Sequence, residues 1–181
     1  MTTFIALLRG INVGGKNKLP MAELTRMLEN IGLEHIQTYI QSGNVVFQAE
    51  EVDKNELSTK MSQAIRQEKG FEPKILLLEL NELETAIANN PFPNAKTEPK
   101  TLHLYFLTED AKGPDLASLE KLKKDAEAFE LKDKVFYLYA PEGIGRSKLA
   151  ERVERALGVS VTARNWRTVT KVLELALAAK L

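Results

Sequence analysis

Three segments of the chain combine glycines with basic side chains, a pattern typical of anion binding. The first, Gly10-Ile-Asn-Val-Gly-Gly-Lys16, has the spacing of a phosphate-binding loop, but Asn17 stands where that loop has a magnesium-binding Ser or Thr. The next predicted helix starts only at Pro20, so its amides cannot face a phosphate held at Lys16. We therefore expect either a looser nest of backbone amides that attracts anions or a plain glycine turn. The cations beside this segment are Arg9, Lys16 and Lys18.

The second segment, Pro141-Glu-Gly-Ile-Gly-Arg-Ser-Lys148, leads from a predicted strand into a predicted helix. Ser147 is the expected N-cap of that helix, and Arg146 and Lys148 flank it. Free backbone amides at a helix N-terminus attract anions. The segment is equally compatible with a glycine turn and a cap that have only a structural role.

The third segment, Thr162-Ala-Arg-Asn-Trp-Arg-Thr-Val169, is predicted to open the last helix. In a helix, Arg164, Arg167 and Lys171 would form one basic stripe, while Trp166 would pack in the core. Arginines near a helix N-terminus oppose the helix dipole unless a carboxylate or a bound anion lies nearby. Glu151 or Glu154 could supply that carboxylate.

Composition excludes several classes of protein. The chain has no cysteine and only two histidines, which rules out disulfides, thiolate chemistry and a three-histidine metal site. Its 25 basic and 25 acidic residues give no net charge that would favour nucleic acid or an anionic membrane. No signal peptide or membrane-spanning stretch is predicted, so we expect a cytoplasmic protein without a metal or other cofactor. Ser42 and Ser147 have no histidine base close in the predicted elements, which leaves serine catalysis without support.

The elements that position these segments are predicted from hydrophobic periodicity. In the first half, the order of elements is strand, helix, strand, strand, helix, strand, which is the split βαβ or ferredoxin-like arrangement. The predicted strands cover residues 4–8, 36–40, 45–47 and 75–78, and the helices run from Pro20 to Ile31 and onward from Asp53.

The second half is predicted to be α+β and to end in two helices. Asn81 is expected to cap a helix over 81–90, and a helix opened by Pro114-Asp115 is expected to reach Ala126. The remaining predictions are a strand over 101–108, a hairpin joining 129–131 to 135–139, and helices over 147–157 and from Ala163 to about Lys180. The fold class is thus α+β, with a ferredoxin-like subdomain over 1–80, a second α+β subdomain over 81–181 and no repeat of sequence.

Four blocks of the sequence together resemble a known family. Leu7-Leu-Arg-Gly-Ile-Asn-Val-Gly-Gly-Lys-Asn17, Thr38-Tyr-Ile-Gln-Ser-Gly-Asn-Val-Val-Phe47, Gly143-Ile-Gly-Arg-Ser-Lys148 and Thr162-Ala-Arg-Asn-Trp-Arg-Thr-Val169 look like the bacterial family known as domain of unknown function 1697. The resemblance implies a cytoplasmic, two-part α+β protein with a ferredoxin-like first half, and it implies no activity.

The polar residues of these blocks form the predicted ligand-binding set. It comprises Arg9, Asn12, Lys16, Ser42, Asn44, Arg146, Lys148, Arg164, Asn165 and Arg167. The set is rich in hydrogen-bond donors and lacks a carboxylate, so it suits holding a phosphate better than acid–base chemistry.

We therefore predict a cytoplasmic protein that binds a phosphorylated small molecule or nucleotide, with no membrane partner. One alternative is sequence-tolerant binding of nucleic acid, which would weaken steeply with salt. A second alternative is an enzyme acting on a phosphorylated or carboxylated substrate, with a carboxylate such as Glu142 as base. The sequence names no catalytic residue and leaves the oligomeric state open.

Overall fold

The computed structural model describes residues 1–179, which form two compact units. The first unit comprises Met1–Thr85 and the chain from Thr170 onward, and the second comprises Ala86–Val169. The predicted end of the last helix near Lys180 lies outside the described residues. The predicted subdomains, 1–80 and 81–181, stay a prediction, because compactness does not show which segments fold on their own.

The first half of the chain has the predicted ferredoxin-like order of elements. These are β1 (Thr2–Arg9), α1 (Met21–Asn30), β2 (Glu34–Tyr39), β3 (Asn44–Ala49), α2 (Lys54–Lys69), β4 (Lys74–Glu79) and α3 (Leu80–Ala88). The strands form an antiparallel sheet, sheet 1, in the order β2-β3-β1-β4. Strand β1, which is apolar and buried from Phe4 to Leu8, is central in this sheet.

The core of the first unit lies between sheet 1 and helices α1 and α2. Phe4 of β1 stacks on Phe47 of β3, and Leu24 of α1 and Met61 of α2 are fully buried in the same cluster. Helix α2 begins as predicted, because the Asp53 carboxylate accepts hydrogen bonds from two amides of the first turn. These contacts fix the two ends of the sheet relative to the helices.

The second half repeats the same order of elements. A 3₁₀ turn over Pro93–Thr97 leads to β5 (Leu102–Leu107), α4 (Leu116–Leu122), β6 (Ala128–Lys132), β7 (Val135–Tyr139), α5 (Lys148–Leu157), β8 (Val161–Asn165) and α6 (Trp166–Ala179). These strands form sheet 2 in the order β6-β7-β5-β8, again antiparallel. The two sheets therefore share one topology, although no sequence repeat was detected.

Three local predictions for the second half were wrong. The final helix does not begin at Ala163: residues 161–165 form strand β8, which pairs with β5 and completes sheet 2. Helix α3 begins at Leu80, directly after β4, so Asn81 lies within its first turn and is not its cap. Helix α4 ends at Leu122, so Ala126 lies outside it.

The strand registers define equivalent positions in the two units. In each, the last residue of the fourth strand pairs with the central strand: Glu79 with Phe4, and Asn165 with His103. Phe4 and His103 are thus equivalent, and both point to the helix-covered side of their sheets. Unit 2 has a titratable side chain where unit 1 has a phenyl ring.

A helix follows the fourth strand of each sheet: α3 after β4, and α6 after β8. The C-terminal part of each of these helices accepts a hydrogen bond from a side chain. The Tyr137 hydroxyl donates to the Ala86 carbonyl, 2.6 Å away, within the second unit. The Gln48 side-chain amide donates to the Ala179 carbonyl, also 2.6 Å away, within the first unit. The end of α3 therefore belongs to the second unit, and most of α6 belongs to the first. None of the helices within residues 1–179 has the length and apolarity needed to cross a membrane.

Candidate functional site

Five of the predicted ligand-binding residues lie at one end of sheet 1. Strands β1 and β3 are antiparallel, and Leu7 pairs with Asn44, so the loop after β1 and the turn before β3 share that end. We call it the first basic end; it carries Arg9, Asn12, Lys16, Ser42 and Asn44. Arg9, Lys16 and Ser42 are exposed, whereas Asn44 is buried.

Asn12 holds the loop and the turn of this end together. Its Nδ2 donates to the carbonyls of Leu19, at 2.9 Å, and Gln41, at 2.7 Å, while its Oδ1 accepts from the Leu19 amide at 2.7 Å. Both protons of the side-chain amide are thus engaged in the protein. Asn12 has a structural role here, and its contact with a ligand stays a prediction.

The glycine-rich segment of this end forms a small hairpin. Val13 and Lys16 form an isolated bridge, and the Lys16 amide donates to the Val13 carbonyl at 3.0 Å. Gly14 and Gly15 both have positive φ, at 58° and 74°, as a tight two-residue turn of type I′ requires. Helix α1 starts only at Met21, so no helix N-terminus stands at Lys16, and this geometry differs from a phosphate-binding loop.

Several amides that an anion nest would need are engaged within this loop. The amide of Asn12 donates to the Asn17 carbonyl, and those of Lys16 and Leu19 also have partners in the segment. The exposed side chains of Lys16 and Lys18 place positive charge in the same loop. Within residues 1–179, no ion pair involves Lys16 or Lys18.

The turn between β2 and β3 is rigid and strained. Asn44 is 1% exposed, and its Nδ2 donates to the Tyr39 carbonyl and the Ser42 hydroxyl, both at 3.0 Å. Ile40 has a φ of 50°, in the left-handed region that a β-branched residue rarely adopts. Such strain costs about 1–3 kcal/mol and persists only where the surrounding contacts impose it. Asn44 thus has a structural role as well.

The other five predicted residues lie at one end of sheet 2. Tyr139, the last residue of β7, pairs with Leu102, and Asn165, the last residue of β8, pairs with His103. Both strands therefore end beside the start of β5, about 10 Å apart across the sheet. This second basic end carries Arg146 and Lys148 in and after the β7–α5 loop, and Arg164, Asn165 and Arg167 where β8 meets α6.

Two helices begin at the second basic end, and each has a side-chain cap. The Ser147 hydroxyl accepts from the Ala150 amide at 3.1 Å, which confirms the predicted cap of α5. The side-chain Oδ1 of Asn165 accepts a hydrogen bond from the Thr168 amide at 2.9 Å and caps α6. Asn165 is thus a structural cap, and its part in a ligand site stays a prediction. The positive dipole ends of both helices lie at this end of the sheet.

Arg164 lies on strand β8 and not on the last helix. The predicted helical stripe of Arg164, Arg167 and Lys171 therefore does not exist, because only the last two lie on α6. Arg164 is half-buried, its Nη1 donates to the Ala163 carbonyl at 2.9 Å, and burial lowers its pKa to about 10. The guanidinium remains charged at neutral pH. Arg164 therefore places a positive charge at the second basic end.

Several cations lie at or near the second basic end. Arg146, Lys148 and Arg167 are exposed, and the Lys96 ammonium lies 5.6 Å from the centre of the Trp166 ring. Glu142, considered above as a base, forms an ion pair with Lys124 at 3.0 Å. This arrangement suits binding an anion better than abstracting a proton.

His103 is the buried histidine of the second unit. It is 9% exposed, and its Nδ1 has no hydrogen-bond partner within residues 1–179. Burial lowers the pKa of its imidazole to about 4, so it is neutral at pH 7. Residues 1–179 contain no group of three or more His, Asp or Glu side chains able to hold a metal ion. His103 therefore belongs to the interior of the second unit, as its place in a predicted strand indicated.

Fold and site together define a class: an α+β protein of two ferredoxin-like units, each with one basic sheet end. The chain belongs to the family described as "Protein of unknown function (DUF1697)", which matches residues 1–137. It is also similar to a solved structure, that of the conserved bacterial protein SP0830 from Streptococcus pneumoniae. The two are 28% identical, with a TM-score of 0.70, and the similarity covers 97% of this chain and 98% of the other. No curated protein matches the sequence.

Proposed function

We propose that this protein binds a phosphorylated small molecule or nucleotide, with the phosphate at the second basic end. One observation carries the proposal: two capped helices begin at the same end of sheet 2, where four cations also lie. These cations are Arg146, Lys148, Arg164 and Arg167. Helix dipoles and guanidinium groups both favour a phosphate over a neutral ligand. A bacterial cytoplasm is the location we propose with it.

We place the phosphate at the second basic end and not at the first for a reason of hydrogen bonding. At the first end, the amides of Asn12, Lys16 and Leu19 donate to partners in their own loop. At the second end, the side chains of Ser147 and Asn165 each cap a helix, and the positive dipole ends of both helices lie there with four cations.

We propose binding without a reaction. Glu142 is the carboxylate that the sequence suggested as a base, and its ion pair with Lys124 supports a structural role. Phosphate binding needs donors and positive charge, which the second basic end supplies.

Thermal unfolding at matched ionic strength tests the proposal. Inorganic phosphate, mononucleotides and short oligonucleotides are added separately, and a ligand at a hundred times its Kd adds about 2.7 kcal/mol, or roughly 5–10 °C in the midpoint. We expect a shift with phosphate or a mononucleotide. The Arg146→Gln/Lys148→Gln variant should lose most of that shift.

A matched control lies on the same helix. Arg152→Gln/Arg155→Gln removes the same charge from exposed positions of α5, the second of them in its last turn. This control should keep the shift seen with the unmodified protein. Equal loss in both variants would mean that net charge alone attracts the ligand, and the proposal would be wrong. A shift confined to oligonucleotides that falls steeply with salt would favour nucleic-acid binding instead.

A further inference from the structure

Three exposed aliphatic side chains of the first unit lie in loops at the two ends of sheet 1. Val13 is 64% exposed in the loop after β1, and Ile40 is 49% exposed in the turn before β3. Val52 is 42% exposed in the loop after β3. The phosphate site proposed above uses none of them.

Val13 and Ile40 share one surface with basic side chains. The residues next to them, Asn12 and Gln41, are joined by a hydrogen bond of 2.7 Å, which fixes the two loops side by side. Lys16 and Lys18 are exposed in the same loop as Val13. We call Val13, Lys16, Lys18 and Ile40 the basic patch.

An acidic counterpart lies at the opposite end of the same sheet. Strand β3 ends at Ala49, and the exposed residues Glu50, Glu51 and Val52 follow it. We call these three residues the acidic patch. Because β3 separates the two patches, they lie about 20 Å apart and face opposite ends of sheet 1.

From this pairing we infer that the protein associates head to tail, with the basic patch of one copy on the acidic patch of a second copy. Each patch has an aliphatic side chain beside charges of one sign, so both apolar burial and charge pairing favour the contact. The exposed apolar residues are aliphatic, which does not suit stacking of nucleic-acid bases. The two surfaces differ, so the contact is heterologous and can extend to a third copy. It is small, so we expect weak, concentration-dependent association.

Sedimentation velocity on the full chain tests this inference. The sedimentation coefficient should rise with protein concentration at low salt. The rise should shrink in 1 M salt, where the Debye length falls to about 3 Å from about 30 Å at 0.01 M. Lys16→Glu/Lys18→Glu and Glu50→Lys/Glu51→Lys should each abolish the rise, and Val52→Ser should weaken it without any change in charge.

Mixing the two charge-reversed proteins gives the decisive measurement. Each alone carries patches of like charge, whereas the mixture again offers opposite charges and should associate. Their net charges are −4 and +4, because each substitution changes the neutral chain by two charges. The matched controls Lys132→Glu/Lys134→Glu and Glu109→Lys/Asp110→Lys carry the same net charges at exposed positions of the second unit.

The outcomes separate the inference from general charge attraction. The inference is supported if the two patch variants associate when mixed but not alone. The mixed control variants should associate no more than the unmodified protein does. A monomer at every concentration in low salt would overturn the inference. A mixture of the two patch variants that associates no more than either variant alone would also overturn it. Circular dichroism of each variant shows whether its fold is intact. The Val52→Ser variant tests the apolar part of the contact without reversing any charge.

Discussion

The two units have the same strand order but use the ends of their sheets differently. In the first unit the polar residues gather where the central strand β1 ends, and in the second they gather where the central strand β5 begins. At the first end, Asn12 and Asn44 donate to backbone carbonyls and close the loops on themselves. At the second, helices α5 and α6 begin beside Arg146, Lys148, Arg164 and Arg167. One fold thus provides a self-contained loop cluster in one unit and a candidate anion site in the other.

The largest expected effect on stability comes from replacing one glycine in each unit by alanine. Both glycines have a positive φ, but only the one in the first unit is closely packed. A Cβ at Gly43, where φ is 87°, would lie 2.6 Å from Leu8 Cβ, whereas at Gly143, where φ is 85°, it would meet nothing within 4 Å. We expect Gly43→Ala to lower the free energy of unfolding by about 3 kcal/mol and Gly143→Ala by about 1 kcal/mol. Urea unfolding measures both. Equal losses would mean that φ alone decides, and the packing argument for the first unit would be wrong.

The second effect concerns the equivalent positions Phe4 and His103. The pKa of His103 is about 4 in the folded protein and 6.5 in the unfolded chain. Between these two pH values the imidazole is protonated in the unfolded chain and neutral in the folded protein. His103 should therefore lower the free energy of unfolding as pH falls from 6.5 to 4, by up to about 3 kcal/mol. His103→Leu should remove this part of the pH dependence and leave the position apolar, as Phe4 is in the first unit.

Unfolding by urea at pH 7 and at pH 4.5 measures the His103 effect. The matched control is His35→Asn, which removes the exposed histidine at a position with a φ of 51° that Asn tolerates. The difference in stability between the two pH values should be smaller for His103→Leu than for the control. The same difference in both proteins would contradict the prediction.

The smallest effect compares the two hydrogen bonds that hold the helix ends. The Tyr137 hydroxyl donates to a carbonyl in a buried setting, whereas the Gln48 amide does so in a part-buried one. Tyr137→Phe should therefore lower the free energy of unfolding by about 1.5 kcal/mol, and Gln48→Ala by about 0.5 kcal/mol. Thermal or urea unfolding checks the order of the two. A larger loss for Gln48→Ala would show that burial does not control the strength of these contacts.

The fold of the first unit could be predicted from the sequence because its boundaries carry local signals. The apolar run of β1 ends at Gly10, and Pro20 and Gly32 bracket α1. Strand β8 was missed because it has five residues and joins α6 without an intervening turn. Asn165 ends the strand and caps the helix at once, so the helical periodicity seemed to continue back to Ala163. Without β8, the topology shared by the two units could not be recognised.

The grouping of the candidate residues was only partly accessible from the sequence. Patterns of Gly, Arg and Lys identified the β7–α5 loop and the β8–α6 junction, and the strand order brings these to one sheet end. The patterns could not show that Asn12, Asn44 and Asn165 bond to the backbone. An asparagine that caps a helix and one that contacts a ligand are the same residue in a sequence, and only the positions of their partners distinguish them.

The division of the chain between the units has a consequence for synthesis on the ribosome. The second unit, Ala86–Val169, is one continuous segment, so all of it is made before the stretch from Thr170 onward. The first unit also needs Thr170–Ala179, which is made after the second unit, although the rest of the first unit is made before it. At about 5–20 residues per second, the 84 residues from Ala86 to Val169 delay that stretch by roughly 4–17 s. The first unit therefore begins to be made before the second unit and is completed after it.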